Sequence, residues 1–349
     1  MRVLARAVRS AAIAVTVAAA VLVLPATAQS ASVSFAGDVL TYNAAAGESN
    51  NVTLTLATLD FSCGSRPAPC LEIQEIAGAL SLLTDRCSDN GFGRATCDVP
   101  AAVIANLGDG EDAIFDWDGP STIDGGAGND PVLRGHGGAD PINGGAGNDA
   151  LFGGDGNDTL NGADGNDIFE GYGGLSPEQP VQHTGTDVYV GGPGADFVDY
   201  AGKTEHLSIS IDGAANDGAP GEHDNVGVDV EMLRGGAGAD TITGNNAANR
   251  LDGWAGNDEL QGAGGEDALL GGSGDDRTFG ADGQDNIEGG HGNDLVNGGP
   301  GTDTLHGDEV QNCVPIDCST GQDTIDARDG ANDTVLCGRG EDSAVHCSG

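Results

Sequence analysis

From Gly235 to His306 an aliphatic residue returns at every ninth position: Ile242, Leu251, Leu260, Leu269, Ile287, Val296 and Leu305, with Thr278 standing in once. Two places before each stands an acid or its amide: Asp240, Asn249, Asp258, Asp267, Asp276, Asp285, Asp294 and Asp303. Cut into nines without a gap, the stretch begins GGAGADTIT, GNNAANRLD, GWAGNDELQ, with glycine favoured at the first, second and fourth places. Such self-similarity at a fixed period marks a repeat architecture rather than a single globular core. Glycines permit φ > 0 and close backbone approach, so the first six residues are expected to turn tightly. The remaining three suffice for a short strand, in which the eighth residue alone points inward. Two units then make one coil of eighteen residues. Strands of successive coils stack about 4.8 Å apart, and aspartates eighteen apart lie one above another.

An earlier run follows the same template. It places Asp130, Asp140, Asp149, Asp158 and Asp167 at the sixth position, with Val132, Ile142, Leu151, Leu160 and Phe169 two places on. One extra residue, near Arg134, separates the first two units, and Pro131 and Pro141 predict irregular first turns because proline donates no ladder hydrogen bond. Asp187 and Asp196 form a short pair with Tyr189 and Val198, and Asp112 with Ile114 is an outlying unit. Two stretches break the rhythm: YGGLSPEQPVQHTG, a loop by composition, and the segment from Tyr200 to Arg234, which includes a strand-like LSISID and an acidic loop, NDGAPGEHDN. The stretch VSFAGDVLTYNAAAGESNNVTLTLATLDFSC alternates as strands do and reads as an N-terminal cap. The organisation expected is a signal peptide at 1–28, a β-rich cap at 29–105, a first repeat block at 106–198 and a non-repeat insert at 199–234. A second repeat block follows at 235–308, and degenerate repeats at 309–349.

Composition sharpens this picture. The chain carries 55 acidic and 13 basic side chains, a formal net charge of −42, in 349 residues. A surface so acidic repels phosphate backbones, which excludes nucleic acid and anionic membranes as partners. Arg2, Arg6 and Arg9 precede an apolar run from Ala11 to Leu24, followed by Pro25 and the small-x-small pattern Ala26-Thr27-Ala28. That order predicts a secretory signal peptide cleaved after Ala28, hence a secreted chain with no membrane span. Eight cysteines fit an oxidising compartment, four before the repeats (Cys63, Cys70, Cys87, Cys97) and four after them (Cys313, Cys318, Cys337, Cys347). Short spacings favour disulfides between neighbours: Cys63–Cys70, Cys87–Cys97, Cys313–Cys318 and Cys337–Cys347.

The charge raises an energetic problem. One buried aliphatic side chain contributes about 1.5–3 kcal/mol, whereas ordering nine backbones costs roughly 1–2 kcal/mol each. Stacked carboxylates oppose folding further, by about 1 kcal/mol per neighbouring pair in water. A hard divalent cation between coils reverses that sign, since calcium takes six to eight oxygens from carboxylates and backbone carbonyls alike.

The nonapeptide G-G-x-G-x-D-x-U-x resembles the hemolysin-type calcium-binding repeat, the RTX repeat. The resemblance implies an all-β fold, a parallel β-roll (β-solenoid) with multiple calcium ions in its turns. It also implies metal ligands at Asp130, Asp140, Asp149, Asp158, Asp167, Asp187, Asp196, Asp240, Asp258, Asp267, Asp276, Asp285, Asp294 and Asp303. Ions would lie between turns eighteen residues apart, pairing Asp240 with Asp258, Asp258 with Asp276, and Asp276 with Asp294. On the other edge they would pair Asn249 with Asp267, Asp267 with Asp285, and Asp285 with Asp303, the uncharged Asn249 giving a weak site. No H-E-x-x-H or G-x-S-x-G motif accompanies the repeats. The expected function is a secreted calcium-binding roll that folds on calcium and is not an enzyme. The alternative is an extracellular adhesin that uses the roll as a scaffold for a protein or glycan partner.

Overall fold

The computed structural model describes residues 32–44, 51–57, 70–75, 81–82, 86–91, 94–115, 119–169, 185–308, 324–327, 334–336 and 343–345. The signal-peptide stretch, the loop over 172–184, and Cys63, Cys313, Cys318, Cys337 and Cys347 lie outside these residues. The described residues form strands and turns, with no helix among them. The fold is a parallel β-roll, and the chain divides into two compact units, Met1–Asp167 and Ile168–Gly349.

The first unit opens with antiparallel pairs. Ser32–Ala36 pairs with Val39–Asn43, and Asn51–Ala57 pairs with Cys70–Glu75, which in turn pairs with Arg94–Cys97. Cys87 lies opposite Cys97 and the two are joined by a disulfide. Pairing then turns parallel. Val39–Asn43 carries Ala102–Asn106, on which Ser121–Ala127, Pro141–Ala146 and Thr159–Asp164 stack in turn. On the second sheet Ala113–Phe115 carries Val132–Gly137, which carries Ala150–Asp155.

The second unit consists of parallel stacks. One runs through Ile168–Phe169, Phe197–Asp199, Met232–Arg234, Arg250–Asp252, Ala268–Ser273, Asn286–His291, Thr304–Asp308 and Thr334–Leu336. Another runs through Ser208–Ser210, Thr241–Thr243, Glu259–Gly265, Arg277–Gly283, Leu295–Asn297, Thr324–Asp326 and Ser343–Val345. The core of each stack is a file of eighth-position side chains. Leu233, Leu251, Leu269, Ile287 and Leu305 lie in register on one side, and Ile209, Ile242, Leu260, Thr278 and Val296 on the other, all buried.

Three expectations need correction. Strands are longer than three residues: Pro141–Ala146 and Glu259–Gly265 run from the seventh position well into the next unit's glycines. Alternation along this longer extended segment turns the sixth, eighth and first positions inward together, so the eighth is not alone. The extra residue of the first block lies between Asp130 and Leu133, not near Arg134. Leu133, not Val132, pairs with Ile114 and Leu151 and fills the core file, while Val132 packs with Ala113 and Phe152. Pro141 does not disturb its turn, because it opens a strand that pairs regularly with Thr159–Asp164. The strand read in LSISID is present as Ser208–Ser210, and the same segment adds Asn225–Val226 and Met232–Arg234 to the stacks.

Candidate metal centre

The strand geometry just described decides where the charges go. Because the sixth residue shares a face with the eighth, all fourteen candidate aspartates point into the roll. Asp130, Asp140, Asp149, Asp158, Asp167, Asp187, Asp196, Asp240, Asp258, Asp267, Asp276, Asp285, Asp294 and Asp303 are each at most 2% exposed. Burying a carboxylate is costly unless its oxygens find partners. One oxygen of most of them does so in a repeating way.

That oxygen, Oδ1, accepts the backbone N–H of the sixth residue one coil earlier. Asp240 N–H donates to Asp258 Oδ1 at 2.7 Å, Asp258 to Asp276 at 2.8 Å and Asp276 to Asp294 at 2.8 Å. The other edge repeats the pattern from Asn249 to Asp267, Asp267 to Asp285 and Asp285 to Asp303, at 2.8, 2.9 and 2.9 Å. In the first unit the same bond links Asp112 to Asp130, Asp130 to Asp149, Asp140 to Asp158 and Asp149 to Asp167. Residues eighteen apart are thus brought together, or nineteen apart where the extra residue intervenes. They meet carboxylate to amide, and among the described residues no three His, Cys, Asp or Glu side chains converge on one point.

The second oxygen behaves differently. Oδ2 of Asp130, Asp140, Asp149, Asp258, Asp267, Asp276 and Asp285 is buried and has no hydrogen-bond partner. It projects into the space that the first-position glycine of the same unit leaves by lacking a side chain. A Cβ on Gly144 would stand 2.5 Å from Asp149 Oδ2 and 2.9 Å from the carbonyl oxygen of Gly162. Gly253, Gly262, Gly271 and Gly280 repeat this pairing of a carboxylate oxygen with a carbonyl from the next coil. An orphaned carboxylate oxygen and a carbonyl converging on one small space form a donor set made only of oxygen. Such a set fits a hard divalent cation and offers nothing to a soft one.

Burial also shifts the protonation equilibria. Desolvation pushes the Asp149 and Asp258 carboxyls up to about 7, and those of Asp130, Asp140, Asp276 and Asp285 up to about 6. Asp167, Asp240 and Asp267 are raised as well, again by burial. For Asp258 the neighbouring charges of Asp276, Asp240 and Asp252 add to the rise, and its backbone hydrogen bond opposes it. These are carboxylates held at an energetic disadvantage, which a cation would relieve.

Two members of the set stand apart. Asp240 has both oxygens engaged, Oδ1 by Leu207 N–H and Oδ2 by Gly236 N–H, each at 2.7 Å. Asn249 accepts Asn245 N–H through Oδ1, and its Nδ2 is buried without a partner. Sequence reasoning also overlooked four participants. Asp224 accepts the Asp187 N–H, Glu231 accepts the Asp196 N–H and Ser121 donates to Asp140, all in ladder positions. Asp217 joins Ser210 and Val226 in the same manner. Asp224-Asn225-Val226 and Glu231-Met232-Leu233 keep the acid-x-aliphatic triplet but lack the glycines, and that triplet was the available signal.

Comparison with known proteins agrees with this geometry. No curated protein matches the chain. The family model described as RTX calcium-binding nonapeptide repeat (4 copies) matches residues 134–174, 227–260, 248–278, 255–287 and 279–310. The stacked units within these matched residues are RTX calcium-binding nonapeptide repeats.

Proposed function

We propose that the chain is a secreted, non-catalytic protein whose roll folds as it binds several calcium ions through its sixth-position aspartates. The observation that carries this reading is the set of seven buried carboxylate oxygens without hydrogen-bond partners. Without a cation each is a desolvated charge, costing more than a thin core can offset. Calcium bound only by the folded chain adds its binding free energy to folding. Asp130, Asp140, Asp149, Asp258, Asp267, Asp276 and Asp285 would supply carboxylate oxygens, and the neighbouring glycine carbonyls would complete the set. The remaining candidates, Asp158, Asp167, Asp187, Asp196, Asp294 and Asp303, occupy the same buried position and are assigned the same role.

Calcium titration followed by far-UV circular dichroism tests the reading. Asp276→Ala should lower the calcium stoichiometry and raise the folding midpoint roughly tenfold, the equivalent of about 1.4 kcal/mol. Asp240→Ala should do less, because both oxygens of Asp240 already accept backbone N–H groups. Asn249→Asp should lower the midpoint by giving a carboxylate to a place that now holds an amide. Indistinguishable midpoints for all three variants would refute the assignment. Export is read from residues 1–28, and N-terminal sequencing of extracellular protein should begin at Gln29. Recovery of an extracellular chain that still starts at Met1 would overturn it.

A further inference from the structure

Trp254 is the anomaly of the second unit. It occupies the second position of its repeat, a place held by Gly236 before it and by Gly272 and Gly290 after it. Its backbone lies at φ 72°, a conformation that L side chains adopt at a cost. The residue is 48% exposed. Neither stability nor solubility favours an exposed indole on a strained turn, and strain of this kind persists where surroundings fix it firmly.

The surroundings do fix it. Trp254 N–H donates to Asp252 Oδ1 at 3.0 Å, and its carbonyl accepts Ser273 N–H at 3.1 Å. The Arg234 guanidinium lies between two rings, 4.9 Å from the Trp254 centroid and 5.3 Å from that of Phe197. Arg234 is itself held by Asp199 at 3.4 Å and Asp252 at 3.2 Å. The indole is therefore preorganised as one wall of an open groove.

That groove has a volume of about 520 Å³ and lies across the outer face of Arg250–Asp252, Ala268–Ser273 and Asn286–His291. Its walls carry Trp254, Arg250, Asn286, Glu288, Ser273 and His291 over a floor of small and aliphatic residues. A smaller hollow of about 80 Å³ extends it past Arg250 toward Phe197 and Met232. The two hollows cross five neighbouring strands, a span of roughly 19 Å at the usual strand spacing.

The geometry points to a binding site for a linear neutral oligosaccharide, stacked on Trp254 and hydrogen-bonded by Arg250, Asn286 and Glu288. A pyranose ring has one face of C–H groups, which suits the electron-rich face of an indole, and an edge of hydroxyls. Planar guanidinium, amide and carboxylate groups can each engage two neighbouring hydroxyls. An aromatic wall with a few convergent polar groups in a cleft of this size is the usual form of a small-ligand site. Other ligands fit less well. The net charge of −42 and the presence of Glu288 in the wall oppose phosphates and acidic glycans. The groove lies on a sheet face whose backbone groups pair with neighbouring strands, so it offers no free edge to an added peptide strand.

The test uses the full mature chain in calcium, with folding checked by circular dichroism so that loss of the roll and loss of binding are read separately. Cellohexaose, maltohexaose and chitohexaose serve as probes, with heparin as the anionic control, and binding is measured by calorimetry. At least one neutral hexasaccharide should bind with a millimolar or tighter Kd. In a Trp117→Phe background, which leaves Trp254 as the sole tryptophan, the same sugar should shift the emission. Trp254→Gly should weaken binding at least tenfold while keeping the fold, since glycine is the residue of the two following coils. Arg250→Ala, which leaves the turn untouched, should weaken it as well. Absence of binding by all three neutral sugars, binding of heparin alone, or unchanged affinity in both variants would overturn the proposal.

Discussion

At the scale of single residues, the nonapeptide is a division of labour among positions that a strand turns inward. The sixth carries a carboxylate, the eighth fills the core, and the first must lack a side chain because the carboxylate uses its space. Sequence alone exposed the first two roles through their chemistry. The third was illegible, since an inward glycine leaves no apolar mark on the pattern. The second and fourth positions differ in a way the structure makes testable. At the second, Ala163, Ala263 and Ala281 already adopt φ of 74°, 81° and 72°. At the fourth, Gly256, Gly274 and Gly292 lie at φ 137–139°, and a Cβ there would overlap the carbonyl of the glycine one coil before. A Cβ on Gly272 would stand 2.4 Å from the Trp254 carbonyl oxygen and one on Gly274 only 1.5 Å from that of Gly256, so Gly272→Ala should cost about 1 kcal/mol and Gly274→Ala about 3 kcal/mol. Denaturant unfolding in saturating calcium checks the ranking, and equal costs would show that the fourth position carries no special constraint.

At the scale of elements, the eighteen-residue coil holds its register even where the spelling fails. The extra residue between Asp130 and Leu133 shifts the core role by one place, because hydrogen bonding from Asp130 to Asp149 fixes the turn on one side and the pairing of Leu133 with Leu151 fixes the strand on the other. Between Tyr200 and Arg234 the strands persist without the glycines; the alternation of LSISID marks the first of them, while the period of glycine and aspartate marks none. The core file has one imperfect member. Thr278 is fully buried between Leu260 and Val296, and its hydroxyl reaches only the Leu295 carbonyl at 3.4 Å. That contact is long for a hydroxyl hydrogen bond. Thr278→Val should stabilise the calcium-loaded roll by about 1 kcal/mol, read from thermal or denaturant unfolding. Destabilisation of that size would show that the hydroxyl is needed where it stands.

At the scale of the whole molecule, the dominant quantity is negative charge, much of it inside. A carboxyl whose folded pKa is raised favours folding when protonated. That contribution is fully present below the unfolded value of about 3.9 and is lost as pH rises through the folded value. With Asp149 and Asp258 at about 7 and Asp130, Asp140, Asp276 and Asp285 at about 6, the loss spans about pH 4 to 7. In metal-stripped buffer the chain should be expanded at pH 8 and become more compact as the pH falls toward 5. In calcium the same acidification should raise the calcium midpoint, because protons compete for the same oxygens. Hydrodynamic radius and circular dichroism against pH, with and without calcium, measure both effects. A metal-free chain equally expanded at pH 8 and pH 5 would contradict this account.

The bond between each sixth-position carboxylate and the N–H one coil earlier always runs in the same direction, from Asp294 back to Asp276, then to Asp258 and Asp240. The stack therefore has a head and a tail that are chemically unlike. A coil exposed at the leading end offers carboxylates, which water solvates readily. A coil exposed at the trailing end offers amide hydrogens whose carboxylate partners belong to a later coil. Each turn is completed by chain that has yet to arrive, so a polypeptide emerging amino-terminus first always carries one unfinished coil behind its growing point.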